Sequence, residues 1–217
     1  MSPRPLLLGH RGARAMRSIP ENTFASFDRA LADGCDGFEF DVRLTSDRQA
    51  VICHDPKVGR LEVARASAQH LANLPRLGDV LARYQSTAFL DIELKVPGLE
   101  SLTLDLLRTH QPHRGFVLSS FLPTVLRVLH AEDSSVPLGL ICDTKSHLPL
   151  WRQLPLVYVI PHYTLASDKL IRELQQASKK VIVWTVNEPK EMRRLAKLGV
   201  EGIISDDTKL LAETVTE

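Results

Sequence analysis

Glu39 and Asp41 stand two residues apart in FEFDVRL (38–44), and Asp91, Glu93 and Lys95 repeat that spacing in DIELK (91–95). A β-strand alternates its faces, so each set shares one side while Phe38, Phe40 and Val42, or Ile92, Leu94 and Val96, share the other. Carboxylates on an otherwise apolar strand are costly to bury unless something positive lies between them. If the two strands are neighbours, Glu39, Asp41 and Glu93 converge, and three such groups cannot all stay ionised without a cation. Oxygen-only donors suit a hard divalent ion, Mg²⁺ or Ca²⁺, rather than zinc. The rival reading pairs the acids with Lys95, Arg43 and Arg11 in a purely structural network. The acids alone do not decide between the two.

Two histidines shift that balance. His10 ends an apolar run in GHRG, and His54 ends another in CHDP. A single histidine at a strand end is commonly structural; two at one mouth, beside a cation, make an acid–base pair. Arg11 and Lys95 add cationic donors suited to a phosphate. Five further residues carry two readings each. Asp55 orients an imidazole or opens the turn at Pro56. Glu21 orients a neighbouring group or favours the positive N-terminus of the first helix. Asn22 or Thr23 reads as that helix's cap rather than a ligand. Trp184 walls a pocket or packs in a core. His147 and His162 read as structural.

The elements that must position these groups alternate along the chain. Strand patterns cover 5–10, 35–42, 49–54, 87–94, 115–120, 136–142, 156–161, 180–186 and 202–205, with helical patterns at 22–34, 76–84, 99–110, 122–132, 167–178 and 189–199. Strand and helix in alternation imply a parallel sheet. The connection from Val42 to Ala50 is too short for a parallel crossover, so 49–54 must turn back as an antiparallel arm. Eight parallel strands remain, the number that closes a TIM barrel, with the arm after its second strand at the C-terminal mouth. An open doubly wound sheet would instead require a glycine-rich phosphate loop after the first strand, and HRGARA is not one. No linker interrupts the pattern, so the expectation is one domain over 1–217.

Composition bounds the partners. Formal net charge is +1 and the arginines near the N-terminus are few and interrupted, which gives no case for a nucleic-acid partner. Three widely spaced cysteines in apolar surroundings read as free buried thiols of a reducing compartment. The run LLLG is too short for a signal peptide and no run is long enough to span a membrane, so the protein is expected to be cytoplasmic.

Taken in order, HRG (10–12), PENT (20–23), the spaced residues of GCDGFEFDVRLTSD (34–47), VICHD (51–55) and DIELK (91–95) resemble the glycerophosphodiester phosphodiesterases. LSSF (118–121), VWTVN (183–187) and GVEGIISDD (199–207) are weaker matches. The resemblance spans residues 9–207 and implies a metal-dependent hydrolase of small glycerophosphodiesters on an eight-stranded barrel. It implies His10 and His54 as the acid–base pair, Glu39, Asp41 and Glu93 as metal ligands, and Arg11 and Lys95 as phosphate contacts. It also implies attack by the substrate's own glycerol hydroxyl and a cyclic phosphate that water opens. The segment after HDP is shorter than in the family pattern, which implies a smaller cover and a more open leaving-group side. Three alternatives stand beside it. They are a Schiff-base lyase using Lys95, a related phosphodiesterase acting on lysophospholipids, and a degenerate barrel that only binds a phosphate ligand.

Overall fold

Strands form where apolar and polar residues alternate, and helices where the apolar spacing lengthens to three and four. The structure, a computed structural model, describes residues 4–216, so residues 1–3 and 217 of the expected domain lie outside the described residues. The barrel strands are β1 (Leu6–His10), β2 (Gly37–Leu44), β6 (Phe89–Leu94), β7 (Phe116–Ser120), β8 (Leu138–Cys142), β9 (Tyr158–Pro161), β10 (Lys180–Val183) and β11 (Gly202–Ser205). All eight pair in parallel with their neighbours, and β1 pairs with both β2 and β11, so the sheet closes. The expected (β/α)8 barrel is the observed one.

The antiparallel arm is also where the short connection requires it. Pairing between β1 and β2 stops at His10 and Glu39, which leaves one edge of β2 open beyond that point. β3 (Ala50–Ile52) covers that edge antiparallel, with Val42 opposite Ile52 and Leu44 opposite Ala50. The arm ends at Ile52, two residues before His54, so His54 follows the strand rather than closing it. Beyond it lie a small hairpin, β4 (Lys57–Val58) and β5 (Leu61–Glu62), and two short 3₁₀ turns.

Among the described residues seven α-helices pack outside: α1 (Phe24–Ala32), α2 (Leu77–Tyr84), α3 (Glu100–Thr109), α4 (Pro123–Glu132), α5 (Asp168–Gln176), α6 (Pro189–Lys197) and α7 (Thr208–Thr216). Proline at the first position starts α4 and α6, where its missing N–H costs no hydrogen bond. A 3₁₀ helix, Leu148–Gln153, replaces the α-helix between β8 and β9. The sequence pattern does not announce α7.

Each strand sends alternate side chains to two different cores. Phe38, Phe40 and Val42 of β2 point outward into the larger core beneath the helices, where Phe38 stacks on Phe27 of α1 at 4.2 Å between ring centroids. Leu8, Val117, Ile141, Tyr158, Ile182 and Ile204 point inward and fill the barrel. The seam between β2 and β6 is tight: a Cβ on Gly37 would overlap the Phe89 carbonyl oxygen. The register across that seam sets Glu39 beside Asp91 and Asp41 beside Glu93.

Candidate active site

The carboxylates of β2 and β6 point into the barrel, beside its apolar filling. Oxygens of Glu39, Asp41 and Glu93 lie within 4.8 Å of one another, and all three residues are buried. Positive charge does stand among them. Lys95 Nζ lies 2.8 Å from Glu93 Oε1 and 3.2 Å from Asp41 Oδ1, and Arg11 Nε lies 3.2 Å from Asp41 Oδ2 without hydrogen-bond geometry. Both sequence readings of the acids are therefore partly realised, except that Arg43 has left the network and donates from Nε to the His54 carbonyl at 2.8 Å.

Compensation is uneven. Burial alone would raise Asp41, but Lys95, Arg11 and the Asn22 amide outweigh it and hold its carboxyl below the usual range. Glu39 goes the other way: burial and then Asp41 and Glu93 push it well above its ordinary value. Burial likewise lifts Glu93 to about 8 against the pull of Lys95. Glu39 Oε1 is buried with no hydrogen-bond partner, while its Oε2 accepts the Arg11 backbone N–H at 3.0 Å. An unpartnered buried carboxylate oxygen beside two other acids is the donor set of a divalent-cation site.

Local backbone geometry explains how HRG and PENT reach this place. Arg11 and Asn22 both take left-handed conformations, at φ 53° and 57°. Such strain in non-glycine residues persists only where surroundings hold it. Here the Arg11 carbonyl accepts from Asn22 N at 3.0 Å and Ser26 Oγ at 2.8 Å. Gly12, at φ 84°, has no room for a side chain against Ser26. Thr23 is the helix cap, accepting from Ser26 N. Asn22 instead donates to Asp41 Oδ2 at 2.8 Å, a tie the sequence reading did not foresee. Glu21 binds Arg11 Nη1 at 2.7 Å and Arg14 Nε at 2.7 Å and lies outside α1, so it orients side chains rather than favouring the helix terminus.

The two histidines open on one cavity, whose polar wall also includes Arg11, Glu39, Asp91, Glu93 and Lys95. Its other wall is apolar: Phe121, Ile141, Ile160, Trp184 and Ile204. Trp184 thus lines the pocket, with its indole N–H on the Ile160 carbonyl at 3.0 Å and its ring edge-on to Phe121. His10 is nearly buried and its Nδ1 lies 2.7 Å from Asp206 Oδ1. His54 is half-exposed, with Asp55 Oδ1 at 2.8 Å from its Nδ1. Burial lowers the His54 pKa despite Asp41 and Asp55. His147 and His162 are absent from this wall; His162 instead packs against the outer edge of Trp184.

Sequence reasoning missed Asp206, Asn187 and Ser119. Ser119 donates to Asp91, the acid beneath the cluster, which burial raises to about 7. Their signal lay only in LSSF, VWTVN and SDD, which are short and carry no spacing of their own.

The chain is similar to known proteins over nearly its whole length. The model of the glycerophosphoryl diester phosphodiesterase family matches residues 10–105 and 97–210. A glycerophosphodiester phosphodiesterase of Caldanaerobacter subterraneus is 28% identical over 98% of both chains. The crystal structure of a glycerophosphodiester phosphodiesterase from Thermotoga maritima superposes with a TM-score of 0.84 at 21% identity, over 98% of this chain and 99% of that one. A phosphodiesterase of Oleispira antarctica, solved with the product sn-glycerol-3-phosphate, superposes at 0.86 and 22% identity, over 99% and 98% of the two chains. At those identities the two structures show the fold.

Proposed function

Because the chain belongs to the glycerophosphoryl diester phosphodiesterase family, and is thereby a phosphoric diester hydrolase, we propose that the mouth cavity hydrolyses small glycerophosphodiesters to an alcohol and glycerol-3-phosphate. The observation that carries this is the convergence of three carboxylates, two cations and two histidines on one mouth. Glu39, Asp41 and Glu93 would hold a divalent cation, Mg²⁺ or Ca²⁺, since every donor is an oxygen and Glu39 Oε1 is unpartnered. When bound, the cation neutralises charge on the phosphoryl oxygens and polarises them.

This chain's own residues do the rest. Arg11 and Lys95 face the same oxygens and stabilise the charge that grows on them. One histidine takes the proton of the substrate's free glycerol hydroxyl, whose oxygen bonds to phosphorus as the bond to the headgroup oxygen breaks. The other protonates that departing alkoxide. The same pair, with roles reversed, lets water open the cyclic phosphate. The apolar wall of Phe121 and Trp184 packs against the carbon skeleton of the glycerol. Asp55 is the partner of His54 and Glu21 that of Arg11.

The Schiff-base alternative runs against Lys95 itself. Burial would lower its pKa, but Glu93 and Asp41 outweigh burial and raise it, the opposite of what a neutral nucleophile needs. The purely binding barrel fits less well, since no group of the acid–base constellation is missing. The chain reads as one cytoplasmic domain: its three cysteines are free and buried, and no helix among the described residues is long and apolar enough to cross a membrane. A panel of glycerophosphodiesters assayed for glycerol-3-phosphate release after chelation and metal add-back is the direct test. Release that persists without any divalent ion would sink the metal assignment. A substrate lacking the adjacent glycerol hydroxyl should bind and not turn over.

A further inference from the structure

We propose that Asp206 is a positioning residue that holds His10 with its ring proton on Nδ1 and its Nε2 turned into the cavity; this deepens the diesterase reading and rests on it. An ionised carboxylate only accepts hydrogen bonds, so His10 Nδ1, 2.7 Å from Asp206 Oδ1, must carry the hydrogen. In the neutral ring Nε2 is then the nitrogen without a hydrogen, and it faces the acid cluster, 3.9 Å from Glu39 Oε2.

Asp206 is built to stay ionised and still. Arg14 Nη1 donates to Oδ1 at 3.2 Å, and Asn187 Nδ2 donates to Oδ2 at 2.8 Å. Asn187 is itself fixed, because its Oδ1 accepts from Ser205 Oγ and from the Asp206 backbone N–H, each at 3.0 Å. Burial pushes the Asp206 carboxyl up, yet the His10 contacts outweigh it and leave it well below the usual range. Arg14 also binds Glu21, which binds Arg11, so the histidine and the phosphate-facing arginine stand on one frame. Asp55 repeats the contact distance for His54 but is 73% exposed, where water competes for the same imidazole. Only one of the two rings is locked.

Asp206→Asn keeps the side chain's shape but exchanges one accepting oxygen for an amide NH2; with that NH2 turned to Nδ1 the ring nitrogen accepts, and the ring proton moves to Nε2. Long-range ¹H–¹⁵N spectra of His10 read that tautomer without substrate. The expected result is Nδ1–H in the native protein and Nε2–H in Asp206→Asn. The variant's kcat on a glycerophosphodiester should fall about 10²-fold or more, with KM within about threefold of native and divalent-ion affinity by calorimetry unchanged. Asp206→Glu, which keeps a carboxylate, should retain Nδ1–H and recover part of kcat. An unchanged tautomer in Asp206→Asn, or a loss confined to KM, overturns the proposal. Native protein that shows Nδ1–H but turns over no diester would defeat the functional reading alone, since the spectrum does not depend on activity.

Discussion

His10 and His54 look across one cavity, but they are held in opposite ways. His10 sits on a barrel strand with 8% exposure, and its partner comes from 196 residues away. His54 follows an edge arm, its side chain is 35% exposed, and its partner is the next residue. The inner half of the mouth is therefore fixed by closure of the fold, while the outer half is fixed by a local turn. Precision costs a protein long-range order, and here it is spent on one histidine.

The sharpest way to break that contrast is to remove each ring. His10→Ala and His54→Ala should each lose about 10²–10⁴-fold in turnover, and the double variant should lose less than the product of the two. His10→Ala should also lower the melting temperature, since it strands Asp206, while His54→Ala should not. Equal destabilisation by both would erase the distinction between the halves.

The acids of the inner half depend on their cations. Lys95→Met leaves Asp41 and Glu93 without their ammonium, and removing one partner of a buried pair costs about 3–5 kcal/mol. Urea unfolding in chelator should show that loss, and added Mg²⁺ or Ca²⁺ should restore part of it through binding to the native state. No recovery with either ion would argue that the cluster holds no metal.

A smaller difference separates the two aspartates. Asp206 has a depressed carboxyl pKa in the folded protein, so it stabilises above the ordinary carboxylate range and that contribution fades as pH falls. Asp206→Asn should be less stable than native at pH 7 and approach it below about pH 4. Asp55→Asn should track native at every pH, because an exposed pair is screened by water. Parallel curves for both variants would remove the asymmetry.

The smallest effect concerns the thiols. Burial pushes Cys35 and Cys142 up to about 12, whereas Cys53, beside His54, is raised less. At pH 8 a maleimide should modify Cys53 first, through local opening of the arm. Faster labelling of Cys35 would place the weak point elsewhere.

How much of this was legible follows from which contacts are local. Glu39, Asp41 and Glu93 could be read because strand periodicity puts them on one face and strand adjacency does the rest. His10 and Arg11 could be read for the same reason, at the end of β1. Asp206 was not read, because barrel closure brings β11 back to β1 without saying which residue after β11 reaches His10. Strand β10 stops at Val183, short of the apolar run to Val186. There Trp184 turns inward to the pocket and Val186 N bonds the Ile204 carbonyl instead of extending the ladder. The fifth crossover defeated a helix search because LPLWRQ, with its internal proline, folds as a 3₁₀ helix. The expected cap, Asn22 or Thr23, is Thr23; the left-handed backbone of Asn22 sends its side chain to Asp41.

The meeting of β1 with β11 has a consequence for synthesis. During translation the residues up to Lys95 emerge first, so the acid pair of strands and both histidines exist long before residue 206 does. Until β11 arrives, β1 keeps one unpaired edge, a template for wrong strand pairing. The last barrel strand thus closes the sheet and brings Asp206 to His10 in a single event. A nascent chain halted before Ser205 carries every proposed reacting group and still lacks the partner of His10 Nδ1.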